Sequence, residues 1–218
     1  MRRSRGRPRK SDAPVADQGA DKQRALLLAG LEAFARAGYH GVGLREIAAV
    51  VGVDPTLITH HFGSKLGLWQ AAVDEIAGRI ETGIQVASLE RARGDNGLAD
   101  IMVGLIDVVC DTPQFAAFVL REIAQQDERF GYMYTRLVKP VHDLLMPHVV
   151  RARDLGELRN VDPDFFFLSI TGAIVITVAS RPFLARMTDG AQENERFRSE
   201  LKRVVEAQMF PFGGENRS

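Results

Sequence analysis

The sequence has one cysteine, Cys110, among 218 residues, which excludes an intramolecular disulfide and a cysteine-based metal cluster. A chain without disulfides is typical of reducing compartments, so a cytoplasmic location is expected. No apolar stretch follows the charged N-terminus, which argues against a secretory signal peptide. The longest uncharged run, residues 165–180, has 16 residues, fewer than the roughly 20 needed to cross a bilayer. We therefore expect a protein without a membrane partner.

Short motifs of the common enzyme classes are also absent: the sequence contains no GxGxxG, GxxxxGKS/T, HExxH or GxSxG. A catalytic cysteine–histidine pair would need Cys110 with His142 or His148, but apolar neighbours favour an inert buried thiol at Cys110. His60 and His61 are adjacent, and adjacent side chains on a helix point about 100° apart, which prevents them from chelating one metal ion. We predict no catalysis, no cofactor and no metal site.

The net charge is zero, because 28 Lys and Arg residues balance 28 Asp and Glu residues, but the charges are unevenly distributed. Residues 1–65 hold 11 basic against 6 acidic side chains, whereas residues 66–218 hold 17 against 22. Six of the first ten residues are basic and none is acidic. A basic front end predicts contact with an anion such as nucleic acid, and the acidic remainder predicts a different role.

Composition and periodicity divide the chain into three regions. Residues 1–20 are rich in Gly, Pro, Ser and charge and are expected to form a flexible basic arm. Beyond them, apolar residues recur at helical spacing and no alternating strand pattern occurs. The sequence predicts an all-α protein of about nine helices, with a three-helix helix-turn-helix domain over residues 21–65 and a larger helical domain over residues 66–218.

Helix boundaries are marked by glycine, proline and capping residues. Gly38 and Gly52 each follow an apolar stripe and are expected to end helices. An Asp or Thr directly before proline predicts a helix start. Such pairs are Asp54-Pro55, Thr112-Pro113 and Asp162-Pro163. Pro140 and Pro147 lie within a long helical pattern and are expected to interrupt it.

Residues 44–62 fit a helix-turn-helix template. With Leu44 as the first position, Ala48 is fifth, where a small side chain lets two helices cross closely. Gly52 is ninth, where the turn needs a positive φ that a Cβ would penalise. The inward positions that lock the crossing are Ile47, Val51, Val53 and Ile58. The second helix is short and polar on its outward face, which fits a major groove.

The same region resembles the N-terminal domain of TetR-type transcriptional regulators. The resemblance covers about residues 22–76 and is carried by four segments. These are LEAFARAGY (31–39), LREIA (44–48), VGV (51–53) and HFGSK (61–65). Beyond them the likeness is architectural, a longer helical domain that in this family binds a small effector and dimerises. The resemblance implies a DNA-binding regulator, by family default a repressor that releases its operator when a small molecule binds.

Carried over position by position, the resemblance implies a set of DNA contacts. The residues of the recognition helix that would face bases or phosphates are Pro55, Thr56, Thr59 and His60. Arg45 would reach a phosphate or a guanine edge from the preceding helix, and Lys65 would hold a phosphate together with backbone N–H groups. His61 is expected to pack inward. Two departures are Gly43, in place of the usual Ser or Thr cap, and Thr59, in place of the frequent tyrosine.

The basic arm contains Arg5-Gly6-Arg7-Pro8, which resembles an AT-hook core. Glycine permits close approach to the groove floor and proline keeps the chain extended, so Arg5 and Arg7 are candidates for insertion into a narrow A·T minor groove. The alternative is a non-specific polybasic arm that contributes only counterion release.

The larger domain combines aromatic and Met side chains with a few polar ones, as small-molecule sites do. The candidates for an effector pocket are Phe118, Glu122, Met133 and Tyr134. They come from a wider set that includes Phe115, Phe167 and Thr171. The alternative is that these side chains form an ordinary helical core.

The apolar helix over residues 163–181 is expected to be buried on several sides. Its small residues Gly172, Ala173 and Ala179 would let a partner helix approach, and with the helix over 193–209 it would form an intersubunit four-helix bundle, as in the family. A homodimer also suits two recognition helices about 34 Å apart on a near-palindromic operator in double-stranded DNA. Two alternatives stay open, a ligand-independent DNA-binding regulator and a helical protein-binding adaptor.

Overall fold

The computed structural model describes residues 15–90, 97–158 and 161–210, and these residues form helices and turns without a strand. The α-helices are α1 (Val15–Ala37), α2 (Leu44–Val51), α3 (Thr56–Phe62), α4 (Lys65–Glu90), α5 (Gly97–Asp111), α6 (Pro113–Ile123), α7 (Glu128–Met133), α8 (Lys139–Asp154), α9 (Pro163–Ala179), α10 (Arg181–Leu184) and α11 (Asn194–Met209). A π-helical turn (Tyr134–Val138) joins α7 to α8 without a break. The described residues form helices and no strand, so the predicted all-α fold is confirmed for them. α7 and α8 form one continuous helix, and α10 is a single turn.

The first helix begins inside the segment predicted to be a flexible arm. α1 starts at Val15, before the predicted end of the arm region at residue 20, and the predicted domain boundaries stay predictions. After Pro14 the sequence contains no further proline until Pro55. Gly19, the one glycine within residues 15–20, is too weak a helix breaker to prevent the helix from extending. The remainder of the arm, which includes Arg5 and Arg7, lies outside the described residues.

The helices α1 to α3 pack around one apolar centre. α2 and α3 cross at Ala48, which is fully buried, and Ile47 and Ile58 close the crossing. Phe34 of α1 is fully buried in the same cluster. The inward positions predicted from the helix-turn-helix template are therefore confirmed, with Val51 and Val53 half-buried at the edge of the cluster.

Gly52 turns the chain between α2 and α3 in the left-handed region, at φ +72° and ψ +35°. A Cβ added there would meet no atom within 4 Å, so a substitution is penalised through the backbone conformation alone. We expect Gly52→Ala to lower the free energy of unfolding by about 1–2 kcal/mol. Gly52→Asn should cost less, because asparagine tolerates this region better. Urea unfolding measures both variants, and equal costs would contradict the explanation.

The long helix α4 connects the two halves of the protein. Its 26 residues pack against α1 and α3 near its start and against α5 along its length. Trp69, Val73 and Ile76 are fully buried along its inner face. In the second half, α6, α8, α9 and α11 pack around α5. Arg198 and Lys202 of α11 both bind Asp107 of α5, at 3.1 Å and 2.6 Å.

Proline and capping residues set the boundaries of the later helices. Asp162 accepts hydrogen bonds from the Asp164 and Phe165 backbone N–H groups, at 2.9 Å and 3.1 Å, and so begins α9 as predicted. Pro140 is the second residue of α8, just after the π-helical turn ends at Val138. Pro147 lies inside α8, which continues to Asp154. Of the two predicted interruptions, only the one at Pro140 coincides with an irregular turn.

Within the described residues, no single helix is both long and apolar enough to cross a bilayer. α5 and α6 reach that length only together, and they are bent by 97° at their junction.

Candidate nucleic-acid interface and effector cavity

The short helix α3 presents one polar face to solvent. Thr56, Thr59 and His60 are exposed, Pro55 is half-buried, and Ile58 on the opposite side is fully buried. Because α3 has only 7 residues and packs against the core through one side, the residues on its other side point outward. The structure therefore brings together the four side chains predicted on the recognition helix, and leaves them accessible.

The start of α3 is fixed by Asp54. Its carboxylate accepts from the Thr56 backbone N–H at 2.8 Å and from the Thr56 hydroxyl at 2.6 Å. These two hydrogen bonds lower the pKa of Asp54 below its ordinary value. The Thr59 hydroxyl donates to the Thr56 backbone oxygen at 2.9 Å. Both threonines thus have their hydroxyl protons engaged, and they offer oxygen lone pairs and methyl groups to a ligand.

Two cations flank this face. Arg45 is exposed on α2. Lys65 begins α4, where Ser64 accepts from the Gly67 backbone N–H at 3.0 Å and caps the helix. The Lys65 Nζ lies 4.7 Å from the centroid of the Tyr39 ring, a cation–π distance. A helix N-terminus with an adjacent ammonium group is suited to a phosphate.

Two further predictions concern the edges of the motif. His61 is half-buried against Phe62, with ring centroids 6.2 Å apart, so it packs at the edge of the core rather than within it. Gly43 lacks a capping side chain, and its backbone N–H donates instead to Glu46 Oε2 at 3.3 Å. Glu46 thus compensates in part for the missing Ser or Thr cap.

A buried charged group connects the two halves of the protein. Glu122 of α6 accepts from the Trp69 indole N–H at 3.1 Å, and it forms an ion pair with Arg129 of α7. Arg129 also binds Asp127 Oδ2 at 2.5 Å, and its guanidinium lies 4.3 Å from the centroid of the Tyr39 ring. We call Tyr39, Trp69, Glu122, Asp127 and Arg129 the interdomain cluster.

The electrostatics of this cluster depend on burial. The side chains of Glu122 and Arg129 are 2% and 3% exposed, and Glu122 Oε1 has no hydrogen-bond partner among the described residues. Burial raises the pKa of Glu122, while the Arg129 guanidinium and the N–H groups of Trp69 and Tyr39 act against that increase. The Arg129 side chain lowers the pKa of Asp127, chiefly by hydrogen bonding. An ionised, partnered Glu122 therefore depends on Arg129.

The second half of the protein contains an apolar cavity of about 120 Å³. Its walls come from α4, α5, α6, α8, α9 and the π-helical turn. They include Val119 and Ile123 of α6, Val141 of α8, and Phe167 and Thr171 of α9. The Thr171 hydroxyl donates to the Phe167 backbone oxygen at 2.7 Å, so the one hydroxyl in the wall has no proton left to donate to a ligand.

None of the four predicted pocket residues is part of the cavity wall. Phe118 is fully buried and packs on Trp69, with ring centroids 6.0 Å apart, and Glu122 belongs to the interdomain cluster. Met133 is buried, while Tyr134 is 50% exposed at the start of the π-helical turn. For the two residues of α6 the reason is helical geometry: Phe118 and Glu122 share one side of α6, and the cavity lies along the adjacent side, which begins at Phe115. Phe115, Phe167 and Thr171 of the wider set do line it.

An apolar strip on α9 and α11 is open to solvent. Phe165, Leu168 and Ile176 of α9 and Val204 of α11 are each more than half exposed, at 76%, 58%, 53% and 51%. A Cβ added to Gly172, midway along α9, would meet no atom within 4 Å. The opposite face of α9 is buried through Phe167, Ile170, Ile174 and Val178. One side of α9 therefore belongs to the core, and the other is available.

The environment of Cys110 is unsuited to catalysis. Burial raises the pKa of its thiol to about 11, the opposite of what an activated thiolate needs. Within residues 15–90, 97–158 and 161–210, no group of three or more His, Cys, Asp or Glu side chains is placed to hold a metal ion.

Sequence reasoning missed the interdomain cluster. Trp69 and Glu122 are 53 residues apart, and helical periodicity gives no information on such pairs. One signal was available: Glu122 follows the buried stripe of Phe115 and Phe118 at helical spacing. A carboxylate at a core position predicts a buried cation as its partner.

The sequence profile of the bacterial regulatory proteins of the tetR family matches residues 26–72. The HTH-type transcriptional regulatory protein RaaS of Mycobacterium tuberculosis is 31% identical over 144 residues, which are 66% of this chain and 64% of that protein. The chain thus spans a little under two thirds of the length of that relative. The HTH-type transcriptional repressor AcnR of Corynebacterium efficiens is 25% identical over 81% of this chain and 87% of the repressor.

Solved structures show a similar fold over most of the chain. A HlyIIR mutant protein superposes with a TM-score of 0.68 at 15% identity, covering 89% of this chain and 98% of that one. The fatty acid degradation regulator FadR from Bacillus halodurans superposes with a TM-score of 0.63 at 15% identity, covering 96% and 100%. At this identity the likeness supports the fold alone.

Proposed function

Because the chain belongs to the TetR family of bacterial regulatory proteins, we propose that it is a sequence-specific DNA-binding transcriptional repressor, acting as a homodimer that releases its operator on binding a small molecule. The relatives are named as a transcriptional regulatory protein and a transcriptional repressor, which agrees with a regulatory rather than a catalytic role. One observation carries the proposal: α3 exposes Thr56, Thr59 and His60 while Ile58 fixes it to the core.

The exposed face of α3 supplies the chemistry of base recognition. Threonine oxygens accept from base amino groups and threonine methyl groups contact the thymine methyl, both in the major groove. Arg45 and Lys65 lie on either side along the chain, where they would hold phosphates and set the register of α3. The basic arm would add counterion release, and Arg5 and Arg7 would follow the adjacent minor groove.

The apolar strip on α9 and α11 supports the dimer. Leu168, Ile176 and Val204 each expose more than half of an apolar side chain, and clustered exposed apolar residues are typical of interaction surfaces. A second copy that placed the same strip against this one would form a four-helix bundle with two-fold symmetry. The two copies of α3 would then read successive major grooves about 34 Å apart on a near-palindromic operator.

The cavity beside α6 supports the response to a ligand. Val119 and Ile123 line it, and one turn away Glu122 binds Trp69 of α4. α6 therefore contacts both the cavity and the helix that carries Lys65. A ligand changes operator affinity only through its different affinities for the DNA-bound and free shapes. The repressor relative AcnR favours repression over activation.

Selection of bound duplexes from a random pool, at a stated salt concentration, tests the DNA-binding proposal. We expect a near-palindromic consensus, with affinity that falls steeply as salt rises. A helical protein-binding adaptor would select no consensus. A ligand-independent regulator would select one but keep its affinity for it in the presence of every compound that binds the cavity.

Lys65→Ala is expected to weaken binding of the selected duplex about tenfold. The slope of log affinity against log salt should fall by about 0.9 for each phosphate that the variant no longer neutralises, hence by roughly 1.8 for a dimer. Lys139→Ala is the matched control, since it removes the same charge from α8 in the second half of the protein. Fluorescence anisotropy at several salt concentrations measures both variants. An unchanged slope for Lys65→Ala would mean that Lys65 contacts no phosphate.

A further inference from the structure

We propose that the cavity between α6, α8 and α9 binds an uncharged, apolar ligand, either a small hydrocarbon ring or the end of an alkyl chain. That this ligand acts as the effector rests on the function proposed above. The inference concerns the chemical class of the ligand, and it depends on the wall, the size and the opening of the cavity.

The wall offers nothing to a charged or strongly polar group. Apart from Gly172 and Thr171, every lining residue has a hydrocarbon side chain, and none is charged. The Thr171 hydroxyl already donates to the Phe167 backbone oxygen. A buried ligand group that needs a hydrogen-bond donor or a counterion would lose its water contacts without replacement. The wall therefore selects against carboxylates, ammonium groups and amides inside the cavity.

The size of the cavity limits what it encloses. Its volume of about 120 Å³ is somewhat below that of an engineered apolar cavity of about 150 Å³ that stays dry and binds benzene. A single aromatic ring or a short hydrocarbon segment is therefore at the upper limit of what the cavity encloses. A longer molecule has to extend beyond the cavity.

The cavity wall reaches the surface at the end of α6. Ile123 is the last residue of α6, and it lines the cavity yet is 41% exposed. A ligand entering there would place its apolar part against wall residues such as Val119 and Val175. Any polar end group would stay outside, in solvent. This geometry accounts for both forms of the proposed ligand, since ring and chain end present the same hydrocarbon surface to the wall.

Titration of the full-length protein with toluene, benzoate and benzylammonium separates apolar from charged ligands of nearly equal shape. Trp69 is the single tryptophan and packs on Phe118 of α6, so its fluorescence reports on α6, and thermal unfolding gives a second readout. We expect saturable binding of toluene and at least tenfold weaker binding of both ions. Binding of an ion as tight as that of toluene, or no binding of toluene, would overturn the proposal.

Substitutions within the wall show whether toluene occupies this cavity. Gly172→Leu adds volume at a residue of the cavity wall that also lies on the apolar strip, so its oligomeric state is checked by sedimentation velocity, and it should weaken toluene binding at least tenfold. Gly78→Leu on the exposed side of α4 is the control, because its Cβ has free space, and it should bind toluene normally. Thr171→Val removes the hydroxyl and should leave toluene affinity within twofold. Unchanged affinity in a folded Gly172→Leu, or a tenfold decrease in Thr171→Val, would contradict the assignment.

The same samples keep this inference separate from the proposed function. Toluene that binds the cavity and weakens the affinity for the selected duplex supports both. Toluene that binds the cavity and leaves the duplex affinity unchanged supports the ligand class and contradicts the ligand response.

Discussion

Replacing Arg129 with methionine is expected to lower the free energy of unfolding by about 3–5 kcal/mol at neutral pH. The side chains of Arg129 and its partner Glu122 are almost completely buried. Methionine fills much of the volume of arginine but provides no charge and no hydrogen-bond donor, so the Glu122 carboxylate is left ionised in an apolar environment. Urea unfolding followed by the fluorescence of Trp69 measures the decrease, because the indole donates to Glu122 Oε2.

A double variant distinguishes an unpaired charge from poorer packing. Arg129→Met combined with Glu122→Leu removes both charges, and we expect it to recover most of the stability. The coupling free energy from the double-mutant cycle then gives the interaction between the two side chains. A cost below about 1 kcal/mol for Arg129→Met alone would mean that the pair contributes no more than a surface ion pair.

The pH dependence of the Arg129→Met variant has a defined sign. Burial already raises the pKa of Glu122, and removal of the Arg129 guanidinium takes away the largest opposing influence. Folding of the variant therefore favours protonation of Glu122, and its stability increases as the pH falls toward the ordinary range of a glutamate carboxyl group. The difference in free energy of unfolding between this variant and the unsubstituted protein should shrink over that range. A difference that grows on acidification would contradict an ionised Glu122.

Ile176→Arg is expected to abolish the proposed homodimer and to weaken binding of the selected duplex by about 10²–10⁴-fold. Each DNA-binding unit would then bind its half-site alone, without the gain in effective concentration that linkage provides. In a two-fold interface on α9 the arginine occurs twice, so it introduces two cations that have no partner. The free monomer should keep its fold, because Ile176 is 53% exposed and its side chain is not essential to the core.

Leu155→Arg is the matched control for this substitution. Leu155 is 62% exposed and directly follows α8, so the same change from apolar to charged occurs on another surface. We expect this variant to stay dimeric in sedimentation velocity and to bind the duplex normally. A monomeric Leu155→Arg, or a dimeric Ile176→Arg, would place the interface elsewhere.

Features that depend on neighbouring residues could be predicted from the sequence. Gly52 has the positive φ that the template requires, and Ala48 and Ile58 are fully buried as predicted. Asp162 caps α9 through hydrogen bonds to its first turn. Each of these outcomes depends on contacts within about ten residues, where spacing and side-chain chemistry are sufficient.

Features that depend on distant residues could not be predicted. Glu122 was assigned to a pocket because it lies among aromatic residues, but its partners are Trp69 on α4 and Arg129 on α7. The side of α6 that faces the cavity depends on how α6 packs against α1 and α9, and periodicity does not specify which neighbour covers which face. Leu105 and Val109 of α5 line the cavity, and no motif marks them.

The arrangement of α6 has a consequence for how this protein can change over evolutionary time. Within its eleven residues, α6 places Val119 and Ile123 in the cavity wall and Phe118 and Glu122 against Trp69. Under the proposed function, a mutation that reshapes α6 for a new ligand also disturbs the contact with Trp69, and both properties change together. We therefore expect lineages that acquire a new ligand but keep their DNA site to accumulate substitutions on α8 and α9, where Val141 and Val175 line the cavity.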